Sequence, residues 1–336
     1  MVTLGLLHHQ ENPDELCFLH AFSIQAKEKE VKLIYFTPEM INSSKIHGFV
    51  YENGHWEQRE TDFPEVIYNL SFYSKKDMLL LQKLKETAPV INLPSINWVE
   101  YYELLSEEAE FKQHLVPSLR IKTSGQFLRF LENYRRILLK PVESKPNIQS
   151  LFERKGDTFL VRQGAQLLEQ NQEEVRTLVR NKIVKQDYYI QPYLLCKTID
   201  GQEYNIRIKL QKNLKGMWII QSIIPCFPQQ ADLMNKSVYE ASPIQIDDFL
   251  KQQFGKFHFQ LKSQIKQFTN DIALKITRNN EVFALTHEIE IVMVIDDLQN
   301  FWITDMTSPS QIHSMENSDM EAVKNQISYA LALINK

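Results

Sequence analysis

The sequence predicts an α/β (α+β) protein with a small N-terminal α/β domain at residues 1–95 and a larger two-lobed domain at residues 96–336. Two observations predict this organisation. At the N-terminus, short apolar segments with strand character alternate with segments of helical spacing, which is typical of a small α/β unit. In the remainder, alternating segments occur in pairs around short turns, which indicates antiparallel hairpins with amphipathic helices between them. We place the two lobes at about residues 96–195 and 196–336.

The N-terminal domain is expected to contain single strands, one hairpin and helices. The single strands are residues 2–7, Val31–Phe36 and Pro64–Tyr68, and the helices are Cys17–Lys29 and Lys76–Lys85. Residues 48–56 predict the hairpin, because Asn53-Gly54 suits a tight two-residue turn.

The first lobe of the larger domain is expected to combine helices with strands. We expect the helices at Ser106–His114, at Thr123–Tyr134, where Thr123-Ser124 supplies the N-terminal cap, and at Gln166–Lys182, which is rich in Gln and Glu. The strands are expected at Ile137–Leu139, which runs into Lys140-Pro141, as a pair beginning near residue 150, and within Tyr188–Leu195.

The second lobe is expected to contain two hairpins and two helices. Tyr204–Leu210 alternates strictly and returns as Met217–Ile224, and Glu288–Ile295 returns as Phe301–Asp305. A long amphipathic helix is expected between the hairpins at about Phe249–Ile276, and a last helix at about Asp319–Ile334.

Composition excludes several classes of function. The net charge of −4 and the pI near 6.2 give no broad basic field, so we expect no nucleic-acid partner. The three cysteines are widely spaced, odd in number and outside any CxxC pair, which argues against a disulfide framework or a zinc site and favours a reducing compartment. No apolar stretch of about 18 residues occurs, so we expect no membrane span and a cytoplasmic location.

The positions of the glycines are the most informative feature for function. Lys140-Pro141 follows a strand, where a nucleotide-binding fold would present a lysine to phosphate, but no glycine follows until Gly156. Backbone amides wrap closely around a phosphate where the chain has a positive φ or lacks Cβ, which usually requires glycine. Glu143 would repel phosphate and Pro146 donates no backbone hydrogen bond. The sequence therefore predicts a nucleotide-binding architecture with a rewritten phosphate loop.

The order of these elements resembles the ATP-grasp fold and, more narrowly, the YheC/YheD family of endospore coat-associated proteins. The segments that carry the resemblance are Leu4–Leu6, Pro64–Tyr68, Leu139–Pro141, Tyr189–Gln191, Asn205–Arg207 with Gly216–Trp218, and Glu288–Pro309. The resemblance implies an ATP-grasp-like two-lobed domain after the N-terminal domain. It also implies that Lys140 contacts phosphate and that an adenine-binding hinge includes Gln191, Tyr193 and Leu194.

The same resemblance implies catalytic and metal-binding positions, from which this sequence departs. Family members have an acidic-Ile-Arg motif, matched here by Asn205-Ile206-Arg207, so Arg207 is the catalytic candidate. They end in Ile-Glu-Val-Asn-X-X-Pro, where Glu and Asn bind magnesium, whereas this chain has Ile303–Pro309 with Asp305 and Thr307 near those places. Val292 stands where aspartate is expected, flanked by Glu288 and Glu290. Asp305 and Glu290 are therefore the metal candidates.

Departures at the loop, the Arg motif and the metal positions favour a degenerate, non-catalytic ATP-grasp-like protein associated with endospore coat formation. In this interpretation ATP and magnesium are its cofactors, if it has any, spore coat proteins are its partners, and it lies in the cytoplasm or the spore coat. The alternative is an active ATP- and magnesium-dependent carboxylate–amine ligase that uses Lys140, Arg207 and Asp305 with Glu288 or Glu290. A third possibility is an interaction scaffold that binds no ligand.

Blander interpretations of single residues stay open at this point. Lys140 could be a solvated lysine at a strand end. Arg207 could pair with Glu203 or another surface acid, and Asp305 could be a turn residue at the end of a strand.

Overall fold

Three β-sheets organise the part of the chain that the computed structural model describes, which is residues 1–71, 78–92, 96–142, 149–164, 166–228, 239–241, 244–278, 283–308 and 320–334. Helices pack on each of these sheets, so the predicted α/β (α+β) class is confirmed. Among the described residues, no helix combines the length and apolarity needed to cross a bilayer.

The first sheet comes from the N-terminal region. Its strands are β1 (Thr3–Leu7), β2 (Lys32–Phe36), β3 (Ile46–Glu52), β4 (His55–Thr61), β5 (Val66–Asn69) and β6 (Val90–Ile91), and its helices are α1 (Leu19–Glu28) and α2 (Met78–Thr87). The order is β4-β3-β2-β1-β5-β6, in which β2, β1, β5 and β6 run parallel. Asn53 and Gly54 both have positive φ, at 53° and 91°, so the predicted tight turn is confirmed.

The second sheet is antiparallel throughout. Its elements are β7 (Leu119–Ile121), α5 (Ser124–Asn133), β8 (Arg136–Pro141), β9 (Ser150–Lys155), β10 (Thr158–Gln163), β11 (Gln166–Gln170), α6 (Gln172–Ile183) and β12 (Tyr188–Pro192). The order is β11-β10-β9-β8-β12-β7, and α5 and α6 bury Phe127, Val175 and Val179 against one face. Thr123 caps α5 as predicted, since it accepts a hydrogen bond from Gln126 N.

The third sheet is built from strands between residues 205 and 307. Its strands are β13 (Asn205–Lys212), β14 (Trp218–Pro228), β15 (Tyr239–Ala241), β16 (Glu288–Ile295) and β17 (Phe301–Thr307), in the antiparallel order β15-β14-β13-β16-β17. The helices α3 (Trp98–Ser106), α4 (Ala109–Lys112), α7 (Ile246–Phe254) and α8 (His258–Arg278) contribute to the same core. Ile206, Ile208, Ile289 and Ile291 lie on the apolar face of the sheet that this core covers.

Three helix predictions are wrong in extent, each for a local reason. Gln166–Lys182 is not one helix, because Gln166–Gln170 pairs with β10 as an edge strand and Asn171 then caps α6. The helix expected at Phe249–Ile276 is two helices, since Gly255 adopts a φ of 55° between them. The helix expected at Ser106–His114 is shorter, since Ser106 ends α3 and Ala109–Lys112 forms a separate short helix. The helix α3, which Asn97 caps, was not predicted.

The last predicted helix packs on the first sheet. It falls within the range of the predicted second lobe, but Val323, Ile327 and Ala330 of α9 (Met320–Ile334) pack in the core of the first sheet with Leu4 and Phe22. Residues 98–115, from the first lobe, likewise pack in the core of the third sheet. The domain boundaries at residues 95 and 195 stay predictions.

A buried polar cluster joins the first sheet, the third sheet and α9. The Tyr68 hydroxyl lies 2.7 Å from His287 Nδ1, and His287 Nε2 lies 2.8 Å from the carbonyl oxygen of Lys212. Because that carbonyl can only accept, Nε2 carries the proton and Nδ1 accepts from Tyr68. The next residue, Glu288, accepts hydrogen bonds from the side-chain amides of Gln211 and Gln326. The cluster therefore holds His287 in its neutral form.

The close approach of β3 to β2 predicts that Gly48→Ala destabilises the first sheet. An added Cβ would lie 2.6 Å from the carbonyl oxygen of Tyr35 and 3.1 Å from Ile46 Cγ2. We expect a loss of about 1–3 kcal/mol, as for other overpacked sites, and a lower melting temperature by calorimetry. Gly125→Ala is the matched control, since its nearest neighbour would be Thr123 Oγ1 at 3.8 Å. Equal melting temperatures for the two variants would contradict the steric argument.

The buried histidine predicts acid sensitivity. Burial, and to a smaller extent the charge of Lys212, lowers the pKa of His287 from 6.5 to about 3. As the pH falls, the unfolded chain therefore binds a proton at this histidine before the folded protein does. The contribution of neutral His287 to the free energy of unfolding is complete above pH 6.5 and is lost as the pH falls towards 3, at up to roughly 1.4 kcal/mol per pH unit.

The melting temperature of wild type between pH 7 and pH 5 should therefore fall more steeply than that of His287→Gln. His20→Gln, at an exposed position on α1, is the control and should follow wild type. Parallel curves for wild type and His287→Gln would show that His287 is not the group responsible.

Candidate functional site

A cleft lies between the second and third sheets and encloses about 740 Å³, including the part open to solvent. The second sheet and the segment that follows it contribute Leu138, Lys140 and Gln191–Cys196. The third sheet contributes Asn205, Arg207, Val292, Val294, Thr304 and Asp305. Most of the sequence-predicted site residues therefore come together in one place, although they belong to separate strands.

The alternation of side chains along the third sheet explains which of them face the cleft. Successive residues of a strand point to opposite faces, so burial of Ile206 and Ile208 against the helices turns Arg207 towards the cleft. Arg207 lies opposite Val292 on β16, and Val292 lies opposite Asp305 on β17. These three residues therefore form one row across the sheet.

A β-bulge at Thr304 determines the direction of Asp305. Val292 pairs with Asp305, but the next residue, Met293, pairs with Ile303, which leaves Thr304 as the extra residue. Without the bulge, Ile303 and Asp305 would lie on the same face of β17. With it, Ile303 packs in the core and both Thr304 and Asp305 line the cleft. Asp305 lies within the strand, so its interpretation as a residue of a turn is wrong.

Lys140 and Asp305 form a buried ion pair across the cleft. The distance from Lys140 Nζ to Asp305 Oδ2 is 3.4 Å, and each side chain is 6% exposed. The ammonium group also lies 5.9 Å from the centre of the Tyr189 ring. Burial, followed by the negative charge of Asp305, raises the pKa of Tyr189 well above its ordinary value. The interpretation of Lys140 as a solvated lysine is therefore wrong.

The predicted hinge lies at the end of β12 and spans both sides of the cleft. Gln191 donates from Nε2 to the carbonyl oxygen of Thr304 at 3.2 Å, which links the second sheet to the third beside the ion pair. The Tyr193 hydroxyl donates to Glu203 Oε2 at 2.8 Å. Leu194 follows in a segment without regular secondary structure that lines the cleft. Glu203 is thus bonded to Tyr193, while Arg207 lines the cleft itself.

The cleft also contains residues that sequence analysis does not identify as site residues. Leu138 and Val294 add apolar surface, and Asn205 places a buried Oδ1 that has no hydrogen-bond partner among the described residues. Cys196 lines the cleft too, but burial raises the pKa of its thiol to about 12, so it is protonated and not a nucleophile at neutral pH. Asn205 could have been identified from the sequence because it lies two positions from Arg207 on β13, and Val294 because it lies two positions from Val292 on β16.

The described carboxylates do not fit a magnesium site. Mg²⁺ prefers octahedral oxygen ligands that include one or two carboxylates. Asp305 is paired with Lys140, and Glu288 is held by two amides. Glu290 lies on the same face of β16 as Val292, opposite the cation Lys209 and Thr307, two positions away from the residue that pairs with Asp305. Within the described ranges, no group of three or more His, Cys, Asp or Glu side chains could hold a metal ion.

The segment predicted to be a rewritten phosphate loop lies outside the described residues at positions 143–148. The predictions for Glu143 and Pro146 therefore stay predictions, and so does any role for Pro309. Gln149, at the described end of this loop, lines the cleft next to β9.

The buried ion pair predicts strong coupling between Lys140 and Asp305. Removing one partner leaves the other charge buried, so Lys140→Met and Asp305→Asn should each cost about 3–5 kcal/mol, while the double variant should cost much less than their sum. Chemical denaturation of the four proteins measures this coupling. The exposed pair Lys45–Asp62, at 2.6 Å, is the control, and the corresponding variants should leave stability unchanged. Additive losses at Lys140 and Asp305 would contradict a direct interaction.

Solved structures with similar folds include the ATP-grasp ligase PsnB and two synthetases. D-cycloserine synthetase DcsG aligns with a TM-score of 0.54 at 10% identity, over 99% of each chain. N5-carboxyaminoimidazole synthetase from Staphylococcus aureus, complexed with ADP, aligns with a TM-score of 0.53 at 10% identity, over 98% of this chain and 77% of that one. The ATP-grasp ligase PsnB, complexed with a minimal precursor, aligns with a TM-score of 0.53 at 11% identity, over 99% of each chain. At these identities the likeness shows the fold alone.

The chain is also similar to a curated protein and to a family. The Endospore coat-associated protein YheC of Bacillus subtilis (strain 168) is 22% identical over 248 residues, which are 65% of this chain and 64% of that protein. The chain thus spans less than two thirds of the length of this relative. The sequence model of the family described as YheC/D like ATP-grasp matches residues 87–333. Since this match extends over well more than half of the chain, the protein belongs to the YheC/D-like ATP-grasp family.

Proposed function

We propose that this chain is a nucleotide-binding ATP-grasp-like protein that lacks efficient ligase activity and takes part in endospore coat formation. The observation that carries the proposal is the convergence of Lys140, the Gln191–Leu194 hinge and Arg207 on one cleft. Separate strands supply these groups. The family resemblance implies nucleotide contacts for Lys140 and the hinge and a catalytic role for Arg207.

The chemistry of the cleft suits a nucleoside diphosphate or triphosphate. Leu138, Val292 and Val294 offer apolar surface for a base. Asn205 Oδ1, which has no hydrogen-bond partner within the described ranges, can accept a hydrogen bond from an amino or hydroxyl group. Lys140 and Arg207 supply positive charge for phosphate. Ligand pockets usually place a few polar groups in apolar walls, and the residues that line this cleft combine both kinds. The ADP complex of the Staphylococcus aureus synthetase supports the same ligand class.

The non-catalytic part of the proposal rests on the metal positions. Mg²⁺ would offset the charge of the phosphates during phosphoryl transfer to a carboxylate. The apolar Val292 and the Lys140–Asp305 pair make a poor donor set for that ion. Nucleotide binding therefore has more support in the described residues than nucleotide turnover.

The role in the endospore coat rests on the name of the Bacillus subtilis relative. We infer spore coat proteins as partners, and a path from the cytoplasm of a sporulating cell to its coat. Interaction with immobilised coat extract, compared between wild type and a cleft variant, would test whether the nucleotide affects this association.

An active ligase is the second candidate, because Arg207 and Asp305 both line the cleft. Magnesium-dependent ATP turnover, abolished by both Lys140→Ala and Asp305→Ala, would support this candidate and contradict the non-catalytic proposal.

A thermal melt with and without millimolar ADP tests nucleotide binding. Ligand that binds only the native state at 100 times its Kd adds about 2.7 kcal/mol, so the melting temperature should rise by several degrees. Val294→Phe, which fills the cleft from β16, should abolish the rise. Leu168→Phe makes a comparable change on the exposed edge strand β11 and should preserve it. An unchanged wild-type melting temperature would favour the scaffold that binds no ligand.

A further inference from the structure

The Lys140–Asp305 pair occupies both groups that an ATP-grasp nucleotide site would use for phosphate and for metal. We propose that Asp305 is the internal counter-anion of Lys140 rather than a metal ligand, so that the cleft binds a nucleoside polyphosphate without a divalent cation, in competition with Asp305. This inference rests on the proposed nucleotide binding and assigns the form of the ligand and the role of Asp305.

The position of the ammonium group argues against a metal on Asp305. Lys140 Nζ lies 3.4 Å from Asp305 Oδ2, one of the two oxygens that a metal could take. Mg²⁺ binds carboxylate oxygen at about 2.0–2.1 Å, so the ion and the ammonium would lie close together. Both side chains are almost fully buried, where repulsion between like charges is poorly screened. A metal ion on Asp305 would therefore be repelled by the ammonium group of Lys140.

The neighbouring side chains do not supply a replacement site. Val292, directly opposite Asp305, offers no oxygen from its side chain. Glu290 lies two positions before Val292 on the same face of β16, but it is directly opposite the cation Lys209 and Thr307. Glu288 accepts hydrogen bonds from Gln211 and Gln326, which fix its carboxylate in the buried cluster at the junction with α9.

A phosphate group can replace the carboxylate of Asp305 without such a conflict. Both are anions that accept charge-assisted hydrogen bonds from an ammonium group, so Lys140 keeps a partner when phosphate binds. Arg207 lines the same cleft and adds a second cation. Repulsion between the phosphate and Asp305 remains, and it lowers the affinity of the cleft for the nucleotide. Removal of that negative charge should therefore strengthen binding, which is the opposite of the effect expected for a metal ligand.

Isothermal titration with ADP distinguishes these roles. Wild type and Asp305→Asn are each titrated in chelator and in millimolar Mg²⁺, after a melt shows that both are folded. We expect Mg²⁺ to change the Kd of wild type for ADP by less than about twofold. In chelator, we expect Asp305→Asn to bind ADP about tenfold more tightly than wild type. Asp157→Asn removes the same charge from the exposed β9–β10 turn and should bind like wild type.

The other outcomes separate this inference from the proposed function. If Mg²⁺ tightens wild-type binding by tenfold or more and Asp305→Asn abolishes that gain, Asp305 is a metal ligand, and the inference fails while the nucleotide site stands. If neither protein binds ADP under either condition, the inference and the proposed function fail together. If Asp305→Asn does not fold, the response of wild type to Mg²⁺ still decides, since a tenfold gain overturns metal-independent binding and an unchanged Kd supports it.

Discussion

One extra residue in β17 determines the chemistry of the cleft. The third sheet must bury one face against α3, α7 and α8, and strict alternation would then turn Asp305 to the same side as Ile303. The bulge at Thr304 separates the two, so Ile303 enters the core and Asp305 meets Lys140 from the second sheet. Gln191 donates to the carbonyl oxygen of Thr304 itself, so the bulged residue is also a point of attachment between the two sheets.

The ion pair that results favours a defined arrangement of the two sheets more than it favours stability. Desolvation of two charges offsets much of their attraction, and well-packed apolar residues of similar size are often equally stabilising. A misaligned pair, however, would leave two buried charges without compensation. Together with the hydrogen bond from Gln191, this penalty favours one position of β8 relative to β17.

Much of the fold could be predicted because its signals are local. The Asn53-Gly54 turn, the cap at Thr123 and the alternating strands of the third sheet depend on residues close together in the chain. β11 was missed because all its residues are at least partly exposed, so hydrophobic periodicity gives no signal there. At the site, the resemblance identified Lys140 and Asp305 separately. Their contact depends on a bulge and on two different sheets, and neither is encoded in the spacing of the sequence.

The position of α9 has a consequence for the order of folding during synthesis. The strands of the first sheet are translated well before α9, yet Val323, Ile327 and Ala330 of α9 complete its core. Domains often fold as units from the N-terminus onwards, but this sheet keeps an exposed apolar face until the last helix has been translated. The nascent chain therefore exposes an apolar surface while the residues between the first sheet and α9 are made, and the first sheet needs chaperone protection during that time.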